Sequence, residues 1–163
     1  MSDLGEVARF STDAVPVRDR MAYWRDFFGH AIVGLEIEPE SEPPRFEMAS
    51  RDLRRLTVAT GHFSGHMARR TREHLSDNRT GFSFLVPGRT TYLASQRGRE
   101  VMLSEGEAVL ISMSEPAHVE QPAACTPNTQ YLSVSLPREL LAPLVPDLDD
   151  LMATVVSERN EAL

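Results

Sequence analysis

Between Gly81 and Gln121 the hydrophobic positions come in four short runs: Phe82 to Val86, Thr90 to Ala94, Val101 to Leu103 and Ala108 to Met113. Each is too short for a helix and each is closed by turn residues, so they predict strands. Pro87-Gly88, Gln96-Arg97-Gly98 and Glu105-Gly106-Glu107 separate them. Glycine at these corners supplies the positive φ that a tight reversal often needs. Strands recurring at such short spacing predict an antiparallel sandwich or barrel, because parallel strands require crossovers of a dozen residues or more. The pattern reads as a meander that closes on itself.

Elsewhere the period changes. Val17, Met21, Trp24, Phe28 and Ala31 recur at steps of three and four within Ser11 to Ala31, with Asp13 ahead and Pro16 in the first turn. That stripe predicts a helix lying over an open end of the sheet, with Trp24 as its packing anchor. Weak alternation marks Val33 to Ile37 as a strand, and the three prolines of Glu38 to Pro44 force a loop. Phe46 to Ser50 and Leu53 to Thr60 are further strand candidates, with Arg51, Arg54 and Arg55 on a solvated turn between them. Thr129 to Leu136 alternates cleanly, placing Leu132, Val134 and Leu136 on one face and Tyr131, Ser133 and Ser135 on the other. After Pro137 a short helix over Arg138 to Leu144 is expected. Asp147 then opens a second, in which Leu148, Leu151, Met152, Val155 and Val156 form a stripe. This terminal helix is expected either to cover its own barrel or to pair with a second protomer through Leu148, Leu151, Met152 and Val155.

Composition narrows the class. The 163 residues are 41% hydrophobic and 25% charged, which suits one globular domain, and no apolar run approaches the twenty or so residues of a membrane span. The first residues have neither the basic nor the apolar region of a secretory signal, so a cytoplasmic location is expected. The single cysteine, Cys125, excludes an internal disulfide and reads as an inert thiol in a Pro-rich loop. Net charge is −7, split as −5 over residues 1–50, +7 over 51–99 and −9 over 100–163, and every basic residue is arginine. A negative total argues against this chain gripping nucleic acid by itself.

Candidate chemistry is sparse. His62 and His66 stand four apart, and with Gly61 and Gly65 beside them they read as one strand, on which about 13 Å would part the two imidazoles, too far for a shared metal. No metal and no cofactor are expected. His118, in the turn Ser114 to Val119, reads either as a half-exposed turn histidine or as a contact to a small molecule. GxSxG, P-loop and HExxH patterns are absent from the sequence.

The run GRTTYLASQRGREVMLSEGEAVLISMSEPAHVEQ resembles the N-terminal cupin-like domain of AraC/XylS-type transcriptional regulators. Gly88, Gly98-Arg99-Glu100, Gly106-Glu107 and Pro116-x-His118 occupy the places of its pattern, and FSTDAVPVRDRMAYWRD, MARRTREHL and SLPRELLAPLVPDL extend the likeness from Phe10 to about Leu148. The resemblance implies a mostly β fold: a cupin-like antiparallel barrel over 35–136, a helix within 10–34 and C-terminal helices over 137–163. It also implies an effector-sensing domain, a homodimer, and DNA contact only through a helix-turn-helix domain absent from this chain. On that basis Phe84, Tyr92, His118 and Tyr131 are expected to contact a small effector, with Arg70 suited to a carboxylate on it. Two other readings stay open, a small metal-assisted cupin enzyme and a dimerisation module with a filled barrel.

Overall fold

Where apolar and polar positions alternate, the chain is extended, and the extended segments pair into two facing antiparallel sheets. The computed structural model describes residues 5–122 and 129–157, so Cys125 and its loop lie outside the described residues. The strands are β1 (Val7–Ser11), β2 (Glu36–Pro39), β3 (Phe46–Leu53), β4 (Leu56–Phe63), β5 (His66–Arg70) and β6 (Phe82–Pro87). They continue as β7 (Tyr92–Gln96), β8 (Arg99–Leu103), β9 (Glu107–Ser112), β10 (Ala117–Gln121), β11 (Thr129–Leu136) and β12 (Val155–Ser157). One sheet has the order β1-β3-β4-β11-β6-β9-β12 and the other β2-β5-β10-β7-β8.

The expected antiparallel architecture is present, but the simple meander is not. Of the four runs between Gly81 and Gln121, only β7 and β8 pair with each other as neighbours in sequence. Their turn, Arg97-Gly98, has φ of 57° and 74°, the conformation whose twist matches that of the flanking strands. The other corners lead the chain from one sheet to the other, so β6 pairs with β9 and β11 rather than with β7. The same happens at Ser64-Gly65: His62 ends up on β4 and His66 on β5, in different sheets, not along one strand.

The N-terminal helix is shorter than its stripe suggested. Ser11 closes β1, an unforeseen edge strand, and its hydroxyl accepts from the Asp13 amide at the start of a 3₁₀ turn, Thr12–Ala14. After a second such turn, α1 covers Arg20–Phe27 and widens into a π-type turn, Phe28–Ile32. Arg25 donates to the Ile37 carbonyl at 3.0 and 2.8 Å and so ties α1 to β2. Trp24 is 1% exposed and stacks on Phe46, centroids 5.0 Å apart. Trp24 and Arg25 thus fasten α1 to β3 and β2.

The terminal helix does not form. α2 (Arg138–Leu141) is a single turn after Pro137, and Leu148–Leu151 is a 3₁₀ turn. Ala153 then takes φ 50°, and the chain becomes β12 on the edge strand β9. A helical period was available, but isolated short helices are marginal. Meanwhile Phe82 and Leu110, on the outer face of the large sheet, required cover. Leu148 (3% exposed) and Met152 (0%) supply it, with Leu151 packed alongside. Two of the residues expected at a protomer interface are thus buried within their own chain.

Candidate functional site between the two sheets

Alternation and register settle which side chains face the space between the sheets. On the large sheet, Met48, Gly61, Tyr131 and Pro87 form one inward row, and Ser50, Ala59, Ser133 and Leu85 the next. On the small sheet the inward positions include Ala68, Tyr92, Ala94, Ala117 and Val119. The end under α1 is packed with rings. Phe63 lies 4.9 Å from Tyr131, 5.8 Å from Tyr92 and 4.5 Å from His66, and His66 lies 5.3 Å from Trp24. Gly61 is what lets Tyr131 lie flat, since a Cβ there would meet its Cε1 at 2.9 Å and collide with the Glu47 carbonyl.

The opposite end is closed by polar staples. Gln96 reaches out of the small sheet to β9, donating to the Ser112 carbonyl at 2.9 Å and accepting from its amide at 2.8 Å. Arg70, 3% exposed, donates to the carbonyls of Met113 and Gly34 and makes two bonds to Asp77, at 2.9 and 2.7 Å. Between the two closed ends the facing rows are made largely of Ala and Ser. Ala59, Leu85, Ser133, Ala68, Ala117 and Val119 stay partly exposed although they point at the opposite sheet. These small side chains face one another across the roughly 10 Å between packed sheets, with Ala59, Leu85, Ala117 and Val119 packed against the main core cluster.

The electrostatics of the ring-lined end are those of a buried, neutral region. Burial lowers the His66 pKa to about 4, so the imidazole is uncharged at neutral pH. Burial also holds the phenols of Tyr92 and Tyr131 protonated by raising them above the usual tyrosine value. Trp24 Nε1 and Tyr131 Oη are buried with no hydrogen-bond partner among the described residues.

Of the five residues expected at an effector, Tyr92 and Tyr131 do meet, through Phe63. The other three go elsewhere. Phe84 pairs with Val134 and Leu110 and faces outward into the cluster with Phe82. His118 lies opposite Arg69 and Ser95 on the outer face of the small sheet, its Nε2 3.3 Å from Glu120 Oε2. Arg70 is an internal staple with its guanidinium already engaged. Phe46, Phe63 and His66 were missed as wall residues because they stand at strand ends, where two or three positions carry too little alternation to mark a face. Among the described residues no three His, Cys, Asp or Glu are grouped to hold a metal ion, and no helix is long and apolar enough to cross a membrane.

Two hollows lie on outer faces. One, of about 900 Å³, crosses the large sheet past Arg9, Glu47, Thr60, His62 and Gln130. The other, of about 690 Å³, runs past Arg69, Arg72, Arg97 and His118 on the small sheet.

Comparison with known proteins fits this architecture. No curated protein matches the sequence. Among solved structures, the AraC-like transcriptional activator CuxR superposes with a TM-score of 0.76 at 17% identity, over 93% of this chain and 55% of its own. This chain thus spans about half the length of that activator. KdgF from Halomonas sp. gives a TM-score of 0.44 at 14% identity, over 57% of this chain and 79% of that one. A cupin superfamily protein from Desulfitobacterium hafniense DCB-2 gives 0.40 at 7%, over 63% and 77%. The fold is mostly β, two facing antiparallel sheets. The AraC-binding-like domain family matches residues 24–162, nearly all of the sheet and the terminal segment, and the chain belongs to that family.

Proposed function

We propose that this is the effector-sensing domain of a cytoplasmic AraC-type transcriptional regulator, which binds a small molecule between its sheets and passes the event to a DNA-binding domain C-terminal to it. The observation that supports the coupling is the position of β12. Val155 pairs with Val109 at the edge of the large sheet and packs against the inward core. The same terminal segment is gripped from outside by the β7–β8 hairpin, where Arg97 donates to the Asp149 carbonyl and Arg99 to those of Asp150 and Met152. A guest that pushes on Val155 moves a three-residue edge strand whose continuation would lead to the output domain. An effector with unequal affinity for the two positions of that strand shifts their populations.

Self-association belongs to the same proposal. Since Leu148 and Met152 are buried in their own chain and Leu151 and Val155 pack against its cores, pairing of protomers near the terminal segment falls to the neighbouring Leu144, which is 75% exposed. Sedimentation of Leu144→Glu tests it, with a shift toward monomer expected.

The test of the sensor is a thermal-shift screen of small aromatics, alcohols and sugars on the 163-residue chain and on Ala59→Leu, which fills the small-residue half. Ligands that raise the melting point of the first and not of the second support binding between the sheets. Equal shifts in both would place the ligand elsewhere.

A further inference from the structure

The hollow of about 690 Å³ on the outer face of the small sheet is lined by five arginines and a single acid, Glu100. Register explains the gathering. Arg69 on β5 stands opposite His118 on β10, which stands opposite Ser95 on β7, and side chains so paired lie about 5 Å apart. Arg72 sits just before the 3₁₀ turn Glu73–Asp77 that follows β5, and Arg97 and Arg99 come from the β7–β8 hairpin.

Two of the five are fully engaged. Arg70 holds Met113, Gly34 and Asp77, and Arg97 donates twice to Glu115 at 2.7 Å. The other three keep free donors. Arg99 commits Nη1 to the carbonyls of Asp150 and Met152, while its Nη2 is 3.9 Å from the Asp150 carboxylate, beyond hydrogen-bond range. Arg69 donates to the Met67 sulfur and lies 3.8 Å from Glu38, again too far for a hydrogen bond. Arg72 is exposed, and its guanidinium has no partner among the described residues. His118 turns its Nε2 to Glu120, which leaves the three arginines and the half-buried Ser95 hydroxyl as the available donors.

Three cations around one small concavity call for an anion of more than one charge. A phosphate monoester carries about −1.5 to −2 at pH 7 with three acceptor oxygens, and it matches the planar fork of arginine. A carboxylate offers one charge and two oxygens. The rim sets the size: Glu36 faces Arg69 from β2, Glu100 faces Ser95 from β8, and Glu38 and Glu120 stand in the next row. A polymer of phosphates crossing the sheet would run into those carboxylates, and one compact group does not.

We propose that this hollow binds a small phosphate monoester, its phosphate taken by Arg69 and Arg72 with Arg99 across from them. The site is on the far side of the small sheet from the space between the sheets, so it goes beyond the sensor reading above and does not depend on it.

Calorimetric titration and thermal shift of the chain with glycerol 3-phosphate and with glycerate, near pH 7 and at constant ionic strength, test the proposal. The phosphate is expected to bind and the carboxylate to bind about tenfold or more weakly. Arg69→Gln and Arg72→Gln should each weaken the phosphate by about tenfold. Both side chains are exposed, so the melting point of the unliganded variants should not move. Arg51→Gln, which removes an exposed arginine of the large sheet, and Ala59→Leu should leave the affinity unchanged. An equal loss in Arg51→Gln would reduce the effect to net charge, and a loss in Ala59→Leu would place the ligand between the sheets; either overturns the proposal. So does glycerate binding as tightly as the phosphate, undiminished binding in Arg69→Gln/Arg72→Gln, or the absence of heat and of any melting-point shift with glycerol 3-phosphate.

Discussion

Arg70 and His66 are two buried ionisable residues whose surroundings decide their behaviour. Replacing Arg70 with Met strands Asp77 and two carbonyls in a region of low dielectric. Breaking a buried pair in this way costs about 3–5 kcal/mol, and urea denaturation at pH 7 should show a loss of that order. The acid limb of stability should fall in two windows. His66 stays neutral in the fold down to about pH 4 but takes a proton near 6.5 when unfolded. Between those values the unfolded chain holds the extra proton, so stability declines as pH falls from 6.5 to about 4, by on the order of 3 kcal/mol. His66→Leu should flatten the decline in a denaturation series at pH 7, 5.5 and 4.5. Asp77 follows lower down: its hydrogen bonds from Arg70 depress its pKa, so its contribution is whole above the ordinary carboxylate value and is lost as pH drops below about 4.

Among elements, Gly61 of β4 is a point where β3 and β11 both approach closely. A methyl group at position 61 would collide with β3 backbone and with the Tyr131 ring, so Gly61→Ala must spread β3 from β4 or tilt Tyr131 out of the stack. Losses of about 1–3 kcal/mol are typical of overpacking at such a point, and near-ultraviolet circular dichroism should report the displaced tyrosine. The terminal strap behaves differently. It is held by the outer cluster of Leu148 and Met152, by three backbone pairs of β12 and by Arg97 and Arg99 on the exposed hairpin. In Arg97→Ala/Arg99→Ala, amide exchange over Val155–Ser157 should speed up while β3, β4 and β11 keep their protection. Equal acceleration everywhere would mean that the strap is not a separate unit.

Across the whole molecule the charge segregation of the sequence is partly offset. Residues of the basic middle third meet acids from the flanks: Arg69 with Glu38, Arg89 with Glu105, Arg97 with Glu115 and Asp149, and Arg99 with Asp150. The +7 of residues 51–99 is therefore offset in part by acids from the flanking thirds. The chain should elute from heparin below about 150 mM salt, because retention depends on cations free to displace counterions. DNA contact, in the function proposed above, is left to another domain.

What could be read from the residues alone was local. Alternation marked β3, β4, β6 to β9 and β11, glycine marked the corners, and the ordered motifs from Gly88 to His118 pointed to the right family. Alternation also placed Tyr131 inward correctly, because on β11 the apolar positions 132, 134 and 136 leave no doubt about the outer face. The pairing of strands was not local. Whether a glycine corner returns the chain to its neighbour or carries it to the other sheet depends on which distant strand is free to accept hydrogen bonds, as β9 does for β6. The same holds for the residues misplaced along the chain. The period of Leu148 to Val156 fits a helix as well as it fits cover for Phe82 and Leu110, and only the uncovered face of the folded sheet chooses between them. Arg70 reads as a free cation until Asp77, Gly34 and Met113 converge on it from three separate segments.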